Sequence, residues 1–122
     1  IKDVSGEYAR LALVARGAEK YKFAVEVLQK HKDPELRAFA ARALGEHYLG
    51  RKISEKNRSQ IESALLSTLR DPNPNIRVSV IAACGSALIF NAARPIAKLK
   101  EEHLAVRLEI EGTLRALSRA AR

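Results

Sequence analysis

A pattern that returns along the chain restricts its fold more than any single residue does. Over 33–50, DPELRAFAARALGEHYLG, a turn carrying Asp and Pro leads to an aliphatic residue, an Arg, and a run of small and aliphatic residues closing on Gly. Superposing the copies on Arg10, Arg37, Arg77 and Arg107 gives spacings of 27, 40 and 30 residues. The residue before each Arg is Ala9, Leu36, Ile76 or Val106, and three after it stand Leu13, Ala40, Val80 and Ile110. Eight after it, Gly45 and Gly85 coincide while Gly17 falls one short. Such periods mark arrays whose units cannot bury an apolar face alone and must stack. The expected fold is therefore all-α, an α-solenoid of about three and a half antiparallel helix pairs in one domain. Its repeats fall near 5–31, 33–70, 71–102 and 103–121.

The helices can be placed from their caps and periodicity. Ser5 is expected to cap a helix over 5–16, with Gly17 closing it in the left-handed conformation. A second helix over 19–30 presents Phe23, Ala24, Val27 and Leu28 on one face. Asp33 caps the next, with Pro34 at its first position, where the missing N–H would be unbonded anyway. Ser54 caps a helix over 55–70 whose Ile61, Leu65, Leu66 and Leu69 face inward. Asn73 and Pro74 open another that runs to about residue 90, followed by a short partner from about residue 95. The last helix, over 104–121, carries Leu104, Val106, Leu108, Ile110, Leu114 and Leu117. One neighbouring pair should not cover that many apolar positions, so this end is expected to be a truncated array or a self-association surface.

These repeats resemble the HEAT repeat family, in the short form typified by the repeats of phycobilin lyases. The matching pieces are DPELRAFAARALG at 33–45 and DPNPNIRVSVIAACG at 71–85, with weaker copies SGEYARLALVARG at 5–17 and HLAVRLEIEGTLRAL at 103–117. The resemblance implies the helical-hairpin architecture. It rests on repeat-forming residues and implies no activity.

The 122 residues amount to one domain, and 47% apolar residues can fill an ordinary core. No apolar run approaches the roughly 20 residues that span a bilayer, so no membrane association is expected. A single cysteine, Cys84, allows no intrachain disulfide and favours a reducing, cytoplasmic setting. The absence of methionine implies a trimmed chain or a piece of a longer one. Scarcity of Gln, Asn, Cys and Met is also a thermophilic trait.

The residues that invite chemistry reduce to structural roles. Asp33 with Arg37 and Asp71 with Arg77 look like charged pairs of an active site, but a pair repeated from unit to unit suits a structural ladder, with Arg107 as a further member. His31, His47 and His103 invite a metal reading. HEAT-like deoxyhypusine hydroxylases hold iron through His-Glu pairs, whereas here Ala38-Phe39 and Val78-Ser79 follow the arginines. Solvated or capping histidines are expected, and no cofactor or metal. Cys84 falls at the inward position shared with Leu44 and Leu114, where cysteine acts as a small hydrophobe. No phosphate loop, nucleophile elbow or paired-cysteine motif is present.

Charge gives the strongest functional signal. The chain carries 22 basic and 14 acidic residues, a net +8, which biases it toward acidic partners. If the second helices of each pair begin near residues 19, 55 and 95, then Lys20, Lys22, Arg51, Lys52, Lys56, Arg58, Arg94 and Lys98 form a basic rim reinforced by helix dipoles. The leading reading is a non-catalytic scaffold or adaptor that binds a protein through its concave face or its C-terminal end. The alternative is electrostatic nucleic-acid binding along the rim, as HEAT-like DNA glycosylases hold duplex DNA on a basic face. The few aromatics lie mostly at core positions, so any such binding would be salt-sensitive rather than base-specific. A metal-dependent or lyase-type enzyme is the minor third reading.

Overall fold

A computed structural model of the chain describes residues 3–50 and 52–121. Among the described residues seven α-helices follow one another: α1 (Ser5–Ala15), α2 (Tyr21–Lys30), α3 (Pro34–Tyr48), α4 (Glu55–Leu66), α5 (Pro74–Ser86), α6 (Ala93–Ala97) and α7 (Leu104–Ala120), with a 3-10 turn over Phe90–Ala92 leading into α6. No strand occurs among the described residues. The helices α1, α3, α5 and α7 pack side by side as one row, and α2, α4 and α6 form a second, looser row against them. Helix pairs stacked in this way make an α-solenoid.

The caps explain where most helices begin. Asp33 accepts the Glu35 N–H at 2.9 Å, Asn73 that of Asn75 at 2.8 Å, and Ser54 Oγ that of Asn57 at 3.1 Å. At α1 the cap differs from expectation. Ser5 is the first helical residue, and the Asp3 carboxylate accepts its N–H at 2.9 Å. That bond favours the charged carboxylate and holds Asp3 below its usual pKa. Gly17, at φ +80°, closes α1: the Ala18 N–H reaches Leu13 O and the Gly17 N–H reaches Val14 O.

Asp3 also corrects the alignment of the first unit. Asp3, Asp33, Asn73 and His103 stand four residues before Glu7, Arg37, Arg77 and Arg107, so the counterpart of the three arginines is Glu7 rather than Arg10. Burial agrees, because Leu11 is buried as Ala41 and Ile81 are, and Val14 as Leu44 and Cys84 are. The true spacings are then 30, 40 and 30 residues. Matching arginine to arginine slipped α1 by nearly one turn.

Two other helices end early. The Ser67 and Thr68 hydroxyls both donate to Ala64 O, at 2.9 and 2.8 Å, and α4 stops at Leu66 instead of continuing to residue 70. α5 stops at Ser86 because Leu88 takes φ 56° and closes the helix as Gly17 closes α1, with the Ile89 N–H on Cys84 O at 2.9 Å. The core is aliphatic, with Leu11, Leu28, Leu36, Leu44, Ile61, Leu65, Ile76, Ile81 and Ile96 fully buried.

Gly45 and Gly85 do not terminate helices. Both lie buried inside α3 and α5, and they set the distance between row helices. A Cβ on Gly45 would stand 3.2 Å from both Ala83 Cβ and Ala83 O, and one on Gly85 would stand 3.0 Å from Thr113 Oγ1. Each glycine is thus a seat for the residue six positions after the next unit's Arg.

Candidate functional site

The recurring arginines tie the units together. Arg37 donates from Nε to Leu28 O at 2.7 Å, satisfying a carbonyl left free at the α2 C-terminus, and from its guanidinium to Asp71 Oδ1 at 2.5 Å. Arg77 donates backward to Asp71 O at 2.8 Å and Pro72 O at 3.1 Å. Forward, it grips Glu101 with two bonds of 2.9 Å each. The acid partner therefore comes from the next turn: Arg37 pairs with Asp71 and not with Asp33, and Arg77 with Glu101 and not with the Asp71 side chain. Asp33 only caps α3.

Glu101, absent from the expected ladder, was discoverable by register. It stands six residues before Arg107, as Asp71 stands six before Arg77. The same position before Arg37 holds His31. Its Nδ1 accepts the Asp33 N–H at 3.0 Å, which leaves the proton on Nε2 to face Glu7 Oε2 at 2.7 Å. This rung keeps its place with the acid now on the row helix and the donor in the turn. Bonding from Arg77 and from the His103 N–H lowers the Glu101 pKa, the arginine having the larger influence. Arg107, on the exposed outer side of α7, has no side-chain partner among the described residues.

The other candidates also have local roles. His47 Nδ1 lies 2.7 Å from Val14 O, and His103 occupies the α7 N-cap position without a side-chain bond there. No cluster of three or more His, Cys, Asp or Glu suited to a metal exists among the described residues. Cys84 is buried, and burial pushes its thiol pKa up to about 12, the opposite of what a nucleophile needs. Glu62 was not singled out by sequence, yet it accepts from Tyr48 Oη at 2.7 Å and from Asn91 Nδ2 at 2.9 Å, joining α3, α4 and the 3-10 turn. Burial first and this bond second raise Tyr48 to about 12.

The basic residues do not gather along one rim. Lys20, Lys22 and Lys56 line one open hollow of about 710 Å³ with Tyr21, His47, Asn57 and Gln60, where α2 and α4 begin. The Glu19 carboxylate lines it too; bonds from the Lys20 N–H and from Arg10 lower its pKa. Arg58 turns away, its guanidinium 5.6 Å from the Tyr48 ring and 3.5 Å from Gly50 O. Lys98 sits at the C-terminal end of α6, in a separate hollow with Arg70, Lys100 and Glu102 beside the Arg77–Glu101 rung. Arg94 is exposed on α6 and Lys52 is exposed before α4; Arg51 lies outside the described residues. The Phe90 ring is half exposed, at 48%.

The two most exposed of the large apolar side chains among the described residues lie on α7. Leu104 is 65% and Leu108 58% exposed, while Val106 and Leu117 are buried against the preceding unit and Ile110 and Leu114 are half-buried. No helix among the described residues is long and apolar enough to cross a membrane.

Two rows of stacked helices, glycine seats between neighbours of the first row and a ladder of arginines at the turns define a repeat solenoid, a class whose function lies on its surfaces. The family described as HEAT repeats matches residues 21–105, and the chain belongs to that family. The match speaks for the repeats and not for the phycobilin-lyase form of them. No curated protein and no solved structure matches the chain.

Proposed function

We propose that the chain is a non-catalytic adaptor that binds a protein partner through the free face of α7. The observation that carries this reading is the pair of exposed leucines, Leu104 and Leu108, on a row helix covered on one side only. Apolar area left open at the end of a stacked array is what a partner would cover. The polar groups that could suggest catalysis are already used in stacking, and the one thiol is buried. Capture from the native host should retain a protein on the wild-type chain and lose it on a folded Leu108→Glu variant. If nothing is retained, or if retention survives the substitution, α7 is not the binding face.

A second reading, nucleic-acid binding, draws on the hollow shared by Lys20, Lys22 and Lys56 at the start of two helices. Backbone contacts of this kind depend steeply on salt. Titration with duplex DNA and with RNA should then show binding that fades between low and physiological salt and weakens in a Lys20→Ala, Lys56→Ala variant. No binding at low salt would end this reading.

A further inference from the structure

The structure assigns a chemistry to the partner of α7: a helical segment that brings a carboxylate to Arg107. This rests on the adaptor reading above and goes beyond it by naming what is recognised. Two junctions of the row are already formed. In each, the row helix offers an Arg near its beginning, and the next element answers with an acid, Asp71 for Arg37 and Glu101 for Arg77. Arg107 occupies the same register on α7, exposed and without a partner among the described residues. The molecule therefore displays an arginine whose two counterparts are satisfied by carboxylates and whose own is not.

The rest of the face shows that the occupant does not dock as another unit of the array does. Where Ala41 and Ile81 are buried by the following unit, α7 has Glu111, and where Gly45 and Gly85 seat it, α7 has Arg115. A helix in repeat register would press its seat residue onto the Arg115 side chain. A partner that instead lies across Leu104 and Leu108 would bury both leucines and bring acidic groups within reach of Arg107 and Arg115. The sign of the charge chooses between occupants. A second copy of this chain would carry its own net +8 to a face that already holds two exposed arginines, whereas an acidic amphipathic helix is complementary. Glu111, between them, limits how many acids the partner can present and helps fix its register.

The test uses the full chain, isotopically labelled, and two synthetic helices of about 18 residues that share one leucine stripe and differ only in Glu or Lys on its flanks. The Glu-flanked helix should shift amide signals along 104–119 and bind at least tenfold more weakly to a folded Arg107→Glu variant; the Lys-flanked one should leave those signals in place. Leu108→Glu should also abolish the shifts. The inference is overturned if both helices bind alike, if Arg107→Glu changes nothing, if the shifts map to the Lys20–Lys56 hollow, or if neither helix binds. The adaptor reading fails separately: a host protein whose capture survives Arg107→Glu but not Leu108→Glu leaves that reading standing without this one.

Discussion

Arg77 shows why this position needs arginine. Its guanidinium reaches back to the carbonyls of Asp71 and Pro72 and forward to both oxygens of Glu101, in a site where the two side chains are 17% and 10% exposed. A lysine ammonium cannot present that planar fork. Arg77→Lys should cost about 1–3 kcal/mol in urea unfolding, the range of charge-assisted bonds lost from a partly buried site. The pH dependence follows from Glu101, whose folded pKa lies below its ordinary value. Its stabilisation is complete above the ordinary carboxylate value and is lost as pH falls through the lowered one. Glu101→Gln should flatten the acid limb of the stability curve, and an unchanged limb would place that dependence elsewhere. Cys84 lends itself to a direct test. A buried thiol with a pKa near 12 should react with a disulfide reagent only as fast as the chain opens, and at the free-thiol rate in denaturant. A fast native reaction would contradict its burial.

At the scale of helices, the sequence made starts more legible than stops. Asp33-Pro34 and Asn73-Pro74 announce α3 and α5 because a cap and a proline act locally. The α5 end could not be read because Leu88 supplies the left-handed residue that a glycine would normally signal. Leu88 is 42% exposed, so its side chain has little packing to lose. Leu88→Gly should therefore leave stability unchanged or raise it by up to about 1 kcal/mol, since relief of about 1–2 kcal/mol of backbone strain outweighs the entropy glycine adds to the unfolded chain. A fall greater than that would give the leucine a packing role. The glycine seats were visible as a recurrent residue but their role was not, because a seat is defined by a neighbour distant in sequence. Gly45→Leu should cost about 1–3 kcal/mol through overpacking against Ala83, which a thermal unfolding series can check.

At the scale of the molecule, periodicity made the architecture legible while the site stayed obscure, and one cause explains both. Stacking repeats the same demands at every junction and so writes a pattern; recognition happens once, at an unrepeated place. The basic residues gathered into one expected rim separate because Lys20 and Lys56 stand at helix starts while Lys98 stands at a helix end. The same nearest-neighbour logic predicts how stability is distributed. α3 and α5 are held on both sides of the row, whereas α1 and α7 each have one row neighbour, so the ends should open at lower free energy than the middle. Native-state amide exchange should rank α5 and α3 slowest and the exposed turns of α7 fastest. A ligand on α7 adds the missing neighbour. The Glu-flanked helix should accordingly slow exchange in α7 more than in α1, and by an amount that grows with its concentration. Uniform protection across the four row helices, bound or free, would mean that the array unfolds as one unit, and that its open end has no energetic weakness for a partner to repair.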